Sequence, residues 1–197
     1  REAFKGREFD LVIVTYGRLA MLADLLKGYT QRLISIGGTA YATDPYDRPV
    51  AEQGGRPHDI KLIDKIVKTE QALMALHNSG AFNVSHFRYP NLYGPRQLAP
   101  KEWSVIRRIL DGRRVLPMLE GGLTLESRAY VENAGAAVLL AVDQPEASAG
   151  QIYNVADQHT PSDIVRARTI AAILGAEVEF VSFPRAAGRP AHYWGRG

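Results

Sequence analysis

The sequence predicts an α/β fold in which a parallel sheet is covered by helices on both faces. Short strand-like runs, of which residues 11–14 are apolar at every position, alternate along the chain with longer amphipathic stretches. Continuous apolar runs are typical of strands buried on both faces, as in parallel sheets. Strands that alternate with helices through short connections indicate βαβ units. A third observation is a break rich in proline and glycine directly after one predicted strand, because open parallel sheets bind ligands at the carboxyl ends of their strands.

Each element is predicted from its own signal. The strands are predicted near residues 11–14, 33–36, 82–87, 152–155 and 178–181. The helices are predicted near residues 19–26, 59–80, 103–110, 131–142 and 162–175. Asp59 and Ser162 are suitable N-caps, and a glycine follows most of the helices, where it can end them. Residues 185–197 are rich in glycine, arginine and proline and are expected to form a loop-like tail.

Composition narrows the class of protein. A chain of 197 residues with 46% apolar residues can form a globular domain with a sizeable core. Its net charge of +3 comes from scattered cations, which argues against a nucleic-acid-binding surface. Cysteine is absent, the five histidines show no metal-ligand spacing, and the longest apolar stretch, residues 134–142, is too short to span a bilayer. We therefore expect a cytoplasmic protein with no metal, membrane or nucleic-acid partner.

The segment at residues 86–97, HFRYPNLYGPRQ, is the most informative part of the chain. Pro90 and Pro95 fix φ and remove two backbone donors, so neither a β-ladder nor a helix is expected to continue through it. Gly94 permits a tight turn. The side chains expected to be displayed from this stiff loop are those of Asn91, Tyr93 and Arg96.

This segment closely resembles the R-x-x-N-x-Y-G-P-R-Q block of the NAD-dependent epimerase/dehydratase family, part of the extended short-chain dehydrogenase/reductase superfamily. Three further stretches resemble family blocks in the same order: residues 32–41 (RLISIGGTAY), 127–134 (SRAYVENA) and 147–157 (ASAGQIYNVAD). Each block alone is a weak signal. Four blocks in order indicate the family's fold over most of the chain, from residue 9 to residue 184.

The resemblance implies a Rossmann-type, doubly wound sheet, with substrate-binding segments interleaved in residues 1–184 and a small C-terminal portion on the substrate side. It implies NAD or NADP as cofactor and a nucleotide-sugar or other small molecule as substrate, with a homodimer as the expected assembly. The implied reaction is hydride transfer at a sugar carbon, after which a keto intermediate is re-reduced or dehydrated. The glycine-rich strand–turn–helix with which the family holds pyrophosphate does not occur in this sequence.

The family's catalytic pair is a Tyr four residues before a Lys, a spacing that places both side chains on one helix face. The ammonium lowers the pKa of the phenol, which then accepts a proton from the substrate hydroxyl while hydride leaves the same carbon. Here Lys68 lies in the predicted second helix, but Asp64 occupies the Tyr position. We predict both as catalytic residues, and the alternative is an ordinary i,i+4 surface ion pair.

The resemblance also calls for a Ser or Thr hydroxyl. Counting back from Tyr41, its usual position falls on Gly37, and the nearest hydroxyls are those of Ser35 and Thr39. We predict Thr39 as the catalytic hydroxyl because it lies beyond the strand, and Ser35 as a strand residue beside the cofactor. The alternative for Thr39 is a turn hydroxyl that bonds to its own backbone.

The remaining predicted site residues lie at strand ends. The predicted cofactor-binding residues, besides Ser35 and Lys68, are Thr15, Tyr16, Gly17, Tyr89, Pro90 and Asn91. The predicted substrate-binding residues are Asn91, Tyr93, Arg96 and Arg128. The two arginines are expected to hold a diphosphate, because guanidinium groups match phosphate oxygens. The family's phosphate-binding arginine would fall near Glu126, so Arg128 is either a displaced substitute or a surface arginine.

Two other functions remain open. A non-catalytic, regulatory NAD(P)-binding relative is favoured by Asp64 and by the missing glycine fingerprint. An NADPH-dependent carbonyl reductase is the third interpretation.

Overall fold

A computed structural model describes residues 4–15, 18–39, 52, 61–97 and 101–187. The strands are β1 (Val12–Val14), β2 (Arg32–Gly38), β3 (Asn83–Tyr89), β4 (Asn91–Tyr93), β5 (Val115–Leu119), β6 (Arg128–Tyr130), β7 (Ile152–Asn154) and β8 (Glu179–Phe183). The helices are α1 (Leu19–Leu26), α2 (Lys61–Asn78), α3 (Lys101–Leu110), α4 (Val131–Asp143) and α5 (Asp163–Ile173). The predicted tail begins with a 3₁₀ turn at Arg185–Ala187, and residues 188–197 lie outside the described part.

The chain divides into two compact units. The first unit comprises Arg1–Leu92 and Ala129–Ala156, and the second comprises Tyr93–Arg128 and Asp157–Gly197. Within the described residues, no helix is long and apolar enough to cross a membrane.

The first unit is built on a four-stranded sheet with the order β1-β2-β3-β7. All three pairings in this sheet are parallel, which confirms the predicted parallel sheet. The central pair is the longest, since β2 and β3 are in register from Arg32 opposite Asn83 to Gly38 opposite Tyr89. The middle of β2 and most of β3 are buried on both faces, as is usual in a parallel sheet.

Side chains that alternate along β2 and β3 build separate cores on the two faces of this sheet. On one face, Leu33 and Val84 pack with residues of α1 and α2. On the other face, Ile34 and Phe87 pack with Val138 and Ala141 of α4. Helices therefore cover both faces, as predicted for a doubly wound sheet.

The second unit has its own small parallel ladder, in which β5 pairs with β8 from Val115 opposite Glu179 to Leu119 opposite Phe183. Ile109 of α3, Leu116 of β5 and Ala171 of α5 form its buried core. The sequence predicted β8 but missed β5. Pro117 lies inside β5, and a proline weakens the strand signal because it can only be placed where no ladder donor is needed.

The proline-rich segment departs from its prediction. Strand β3 continues to Tyr89, and after Pro90 the chain forms β4, which pairs with β6. The expectation that no ladder continues through this segment was therefore wrong, because Pro90 removes a single donor and the strand resumes in a different ladder. The turn that follows is confirmed, with φ of 126° at Gly94 and 65° at Arg96.

Candidate functional site

The carboxyl ends of β1, β2 and β3 form one edge of the first unit's sheet, and Thr15, Thr39 and Pro90 are the residues that follow these strands. Strand β1 ends earlier than its neighbour, since Val14 lies opposite Ser35. Thr15 is therefore level with Ile36 and set back from Thr39 by three residues, about 10 Å along the strands. Thr15 is exposed and Thr39 half-buried. Tyr16 and Gly17 lie outside the described residues.

Lys68 and Asp64 form an ion pair on α2, with 2.7 Å between Nζ of Lys68 and Oδ2 of Asp64. The side chain of Lys68 is 71% exposed and that of Asp64 31% exposed. This arrangement is the surface ion pair that the sequence left open as an alternative. Their catalytic roles stay predictions.

The side of α2 that faces the sheet is defined by three buried residues, Val67, Glu70 and Leu73. Ile66 lies on the same side. Its Cδ1 atom is 3.2 Å from the point where a Cβ of Gly38, the last residue of β2, would stand. Ile66 is thus the α2 side chain that reaches the carboxyl end of β2. The structure also brings α2 against β3, as the predicted site required.

A buried ion pair joins α2 to β3 close to this edge. Nε and Nη2 of Arg88 each donate a hydrogen bond of 2.6 Å to one carboxylate oxygen of Glu70. Nη1 of Arg88 donates a third bond, of 3.3 Å, to Oδ1 of Asn154 on β7. The side chains of Arg88 and Glu70 are only 2% and 7% exposed, so water does not replace either partner.

His86 extends this network toward β2. Its Nδ1 atom lies 2.8 Å from Oγ of Ser35, and its Nε2 atom lies 3.6 Å from Oε2 of Glu70. The second distance is too long for a hydrogen bond, and among the described residues Nε2 has no hydrogen-bond partner. The pKa of His86 is lowered to about 4, mainly by burial, while the Glu70 charge raises it and the Arg88 charge lowers it by smaller amounts. The imidazole is therefore neutral near neutral pH.

The His86 ring also explains the residue at the position where the resemblance calls for a hydroxyl. A Cβ on Gly37 would stand 2.9 Å from Cε1 and 3.1 Å from Nε2 of His86, closer than real Cβ contacts. Ser35, two residues earlier on the same face, is fully buried and bonded to His86. Of the two hydroxyls predicted from the sequence, Thr39 is the one that lies beyond the strand.

Tyr89 closes β3 on the opposite face. Its hydroxyl donates to the carbonyl of Ala134 in α4, and its ring packs edge-on against Phe87. Burial raises the pKa of the Tyr89 phenol above its ordinary value. Tyr89 is therefore a neutral hydrogen-bond donor that fixes α4 to the sheet. Pro90 and Asn91, which follow it, are half-buried at the carboxyl edge.

The second unit contains the predicted diphosphate arginine in a cluster of charges. Arg128 is 8% exposed and forms ion pairs with Glu102 and, at 3.1 Å, with Glu126. Lys101 donates to both carboxylate oxygens of Glu126 at 2.7 Å. Burial alone would raise the pKa of Glu126, but Lys101 and Arg128 outweigh it and lower the pKa. Arg128 is thus a buried, paired cation, whereas Arg96 is exposed on the turn after β4.

Sequence reasoning missed the network of Glu70, His86 and Arg88 as a functional feature. One signal for it was present in the sequence, since Arg88 directly follows the predicted strand at residues 82–87, and the structure buries most of that strand together with Arg88. A charge in such a strand requires a partner, but the sequence does not show which of the acidic residues supplies it. In the described ranges, no group of His, Asp and Glu residues is arranged to hold a metal ion.

Comparison with known proteins finds a family match over part of the chain and a fold shared with solved structures. Residues 64–156 match the model of the NAD dependent epimerase/dehydratase family. No curated protein sequence matches the chain significantly.

Several solved structures share the fold. The dTDP-glucose 4,6-dehydratase of Bacillus anthracis, in complex with NAD, aligns with a TM-score of 0.74 at 16% identity, over 92% of this chain and 63% of its own. The UDP-glucuronic acid 4-epimerase of Bacillus cereus, with UDP-glucuronic acid and NAD, aligns with a TM-score of 0.70 at 16% identity, over 84% of this chain and 53% of its own. RMD of Pseudomonas aeruginosa, complexed with NADPH, gives 0.72 at 17% identity, over 88% and 69%.

The chain therefore spans between about half and two thirds of the length of the first two of these structures. At these identities the likeness shows a shared Rossmann-type fold, in agreement with the parallel sheet of the first unit. The family match begins within α2 and extends through β7. Taken together, residues 64–156 resemble the NAD dependent epimerase/dehydratase family, and the chain shares the fold of the solved epimerase and dehydratase structures.

Proposed function

We propose that this chain binds NAD or NADP together with a nucleotide-sugar, as an epimerase/dehydratase-type protein. The observation that supports the proposal is the carboxyl edge of the first unit's sheet, where β1, β2 and β3 end and Thr15, Thr39 and Pro90 follow. Ligands of open parallel sheets bind beyond this edge. The family match over residues 64–156 supports the choice of cofactor, because the matching family is NAD-dependent.

The proposed reaction is hydride transfer at a sugar carbon. The C–H bond of a secondary alcohol breaks, its hydride passes to the oxidised nicotinamide, and the hydroxyl proton passes to a base, so that a ketone forms. Return of the hydride gives an epimer, and loss of water from the ketone gives a dehydrated product. The chain must supply the base. Of the predicted catalytic residues Thr39, Asp64 and Lys68, Asp64 is the one whose carboxylate can accept a proton.

Substrate contacts are proposed on the segment after β3 and in the second unit. Asn91 offers an amide at the end of β3, and Tyr93 and Arg96 follow it within the same segment. Arg96 has a φ of 65°, a conformation that few residues other than glycine adopt. Such strain is often found where a side chain is held for binding. Arg128 would reach a diphosphate only by exchanging its carboxylate partners.

A second candidate function is binding of NAD(P) without turnover, as in a regulatory relative. One observation favours it specifically. Lys68 is 71% exposed and paired with Asp64, while Ile66 approaches the end of β2. In this orientation Lys68 lies on the outward side of α2, away from the buried face that meets the sheet.

A single set of measurements separates the two candidates. The protein is titrated with NADH, NADPH and a UDP-sugar by calorimetry, and then incubated with NAD and the UDP-sugar while reduced nicotinamide and sugar products are followed. Saturable binding with product formation supports hydride transfer. Saturable binding without product supports the binding function. The absence of binding by either nicotinamide nucleotide contradicts both.

A further inference from the structure

We infer that α2 contributes an aliphatic contact, Ile66, to the proposed cofactor edge, and that Lys68 takes no part in binding there. The inference rests on the proposed function, because it concerns the ligand that lies beyond the end of β2. It goes further by naming an α2 residue that meets that ligand.

The rotation of α2 about its axis follows from its buried residues. Residues three, four and seven apart share one face of a helix, and Glu70 and Leu73 define the buried face. Ile66 precedes Glu70 by four residues and therefore lies on this face. Lys68 precedes Glu70 by two residues, which is about 200° around the helix. It shares the outward side with the exposed Lys61 and Lys65.

The Glu70–Arg88 ion pair holds α2 in this rotation. Both of its hydrogen bonds measure 2.6 Å, and both side chains are almost completely buried. Turning Lys68 toward the sheet would withdraw the Glu70 carboxylate and leave the Arg88 guanidinium buried without an anion. A buried charge without a partner is strongly unfavourable, so this alternative rotation is not accessible to the folded helix.

The position of Ile66 along the strands places it at the carboxyl edge. Its Cδ1 atom approaches Gly38, the last residue of β2, to 3.2 Å from the site of a Cβ. One residue earlier on β2, the His86 ring from β3 occupies the space that a side chain at position 37 would need. A ligand against the end of β2 therefore meets glycine backbone and the Ile66 side chain.

These surroundings favour an uncharged, flat group over a charged one. The reduced nicotinamide ring of NADH or NADPH has this chemistry, and an aliphatic side chain can pack against it without an ion pair.

The absence of cysteine in the sequence allows a direct test. Single-cysteine variants Ile66→Cys and Lys68→Cys are labelled with a maleimide, with Lys65→Cys as the matched control on the outward side. We expect Lys68→Cys to react as fast as Lys65→Cys and Ile66→Cys to react several-fold more slowly. We further expect a saturating concentration of NADH to slow Ile66→Cys several-fold again and to leave the other two rates unchanged.

Equal labelling rates for the three variants, or protection of Lys68→Cys by NADH, would overturn the inference. If the rates differ as expected in the free protein but NADH protects none of the variants, the rotation of α2 stands and the contact of Ile66 with the cofactor is refuted. Calorimetric binding of NADH to the parent protein then decides whether the proposed function fails as well. A Lys68→Met variant, whose charge is lost while its stem is kept, must retain the affinity of the parent for NADH.

Discussion

Arg88 and Glu70 form a buried, two-pronged ion pair, in which Nε and Nη2 of Arg88 each lie 2.6 Å from a different carboxylate oxygen of Glu70. The pair connects β3 to α2, the helix that carries the predicted catalytic residues Asp64 and Lys68. Glu70 lies one helical turn after Ile66. The ion pair therefore stabilises the fold, and it also determines which side chains of α2 face the carboxyl edge of the sheet.

Glu70→Gln should strongly destabilise the protein, because it keeps the shape of the side chain but leaves the Arg88 guanidinium buried without a counter-charge. Breaking one partner of a buried pair costs about 3–5 kcal/mol in the free energy of unfolding. Asp64→Asn is the matched control on the same helix, and the loss of its exposed pair with Lys68 should cost less than about 0.5 kcal/mol. Urea denaturation of both variants measures the difference, and similar small losses would contradict a buried anchor.

His86 should make the stability of the protein depend on pH. Its pKa falls from 6.5 in the unfolded chain to about 4 in the folded protein, mainly through burial. Between these values the unfolded state binds a proton that the native state does not, so stability is full above the unfolded pKa and is lost as pH falls toward 4. The total loss from this group is on the order of 3 kcal/mol.

The measurement compares parent and His86→Leu proteins by urea denaturation at several pH values between about 7 and about 5. Other carboxylates titrate in both proteins, and their effect cancels in the difference. The stability advantage of the parent should shrink as the pH is lowered. A constant difference across the range would show that His86 titrates normally in the folded protein.

Gly37→Ala should destabilise the protein through a steric clash, since the added Cβ would stand 2.9 Å from the His86 ring. Overpacking of this kind typically costs about 1–3 kcal/mol. In the double variant with His86→Ala, the Gly37→Ala change should cost much less, because the ring is gone. Gly135→Ala in α4 is a control, as its Cβ would meet nothing within 4 Å. It should stabilise the helix by about 0.5–1 kcal/mol. Additive effects of Gly37→Ala and His86→Ala would refute the clash.

Lys68→Met should leave the affinity for NADH within about twofold of the parent, an energy difference below about 0.5 kcal/mol. Its ammonium is 71% exposed and pairs with Asp64 on the surface. Lys65→Met, on the same outward side of α2, is the matched control. Ile66→Asp should weaken binding at least tenfold, because it places a carboxylate where an aliphatic contact is proposed. A large loss with Lys68→Met alone would return Lys68 to the site.

The sequence was sufficient for the central sheet because its signal is local. A continuous apolar run predicted β1, and strand-like runs at residues 33–36 and 82–87 predicted β2 and β3. The amphipathic pattern with a following glycine predicted α1 with the bounds that the structure shows. Strand β5 was not predicted because Pro117 interrupts its apolar pattern. The short strand β4 was not predicted because two prolines lie in the same segment, although each proline removes only one backbone donor.

The candidate site was less predictable because its geometry is not local. The i,i+4 spacing of Asp64 and Lys68 identified a pair on one helix face, but spacing alone cannot say which face meets the sheet. That choice is made by Glu70 and Arg88, which are 18 residues apart. Likewise, the sequence shows only that Gly37 stands where the resemblance calls for a Ser or Thr hydroxyl. The packing of the His86 ring in the structure shows why a side chain is not accommodated there.

The most direct test of the proposed cofactor edge is a calorimetric titration of the parent protein with NADH and NADPH. The titration is repeated for Ile66→Asp and Lys68→Met, once an unfolding transition has shown that each variant is folded. We predict that the parent binds at least one nucleotide saturably and that Lys68→Met binds it equally well. Binding by Ile66→Asp should be at least tenfold weaker, which corresponds to about 1.4 kcal/mol or more. A parent protein that binds neither nucleotide would contradict the proposed cofactor edge. Binding that is lost with Lys68→Met and retained by Ile66→Asp would contradict the proposed orientation of α2.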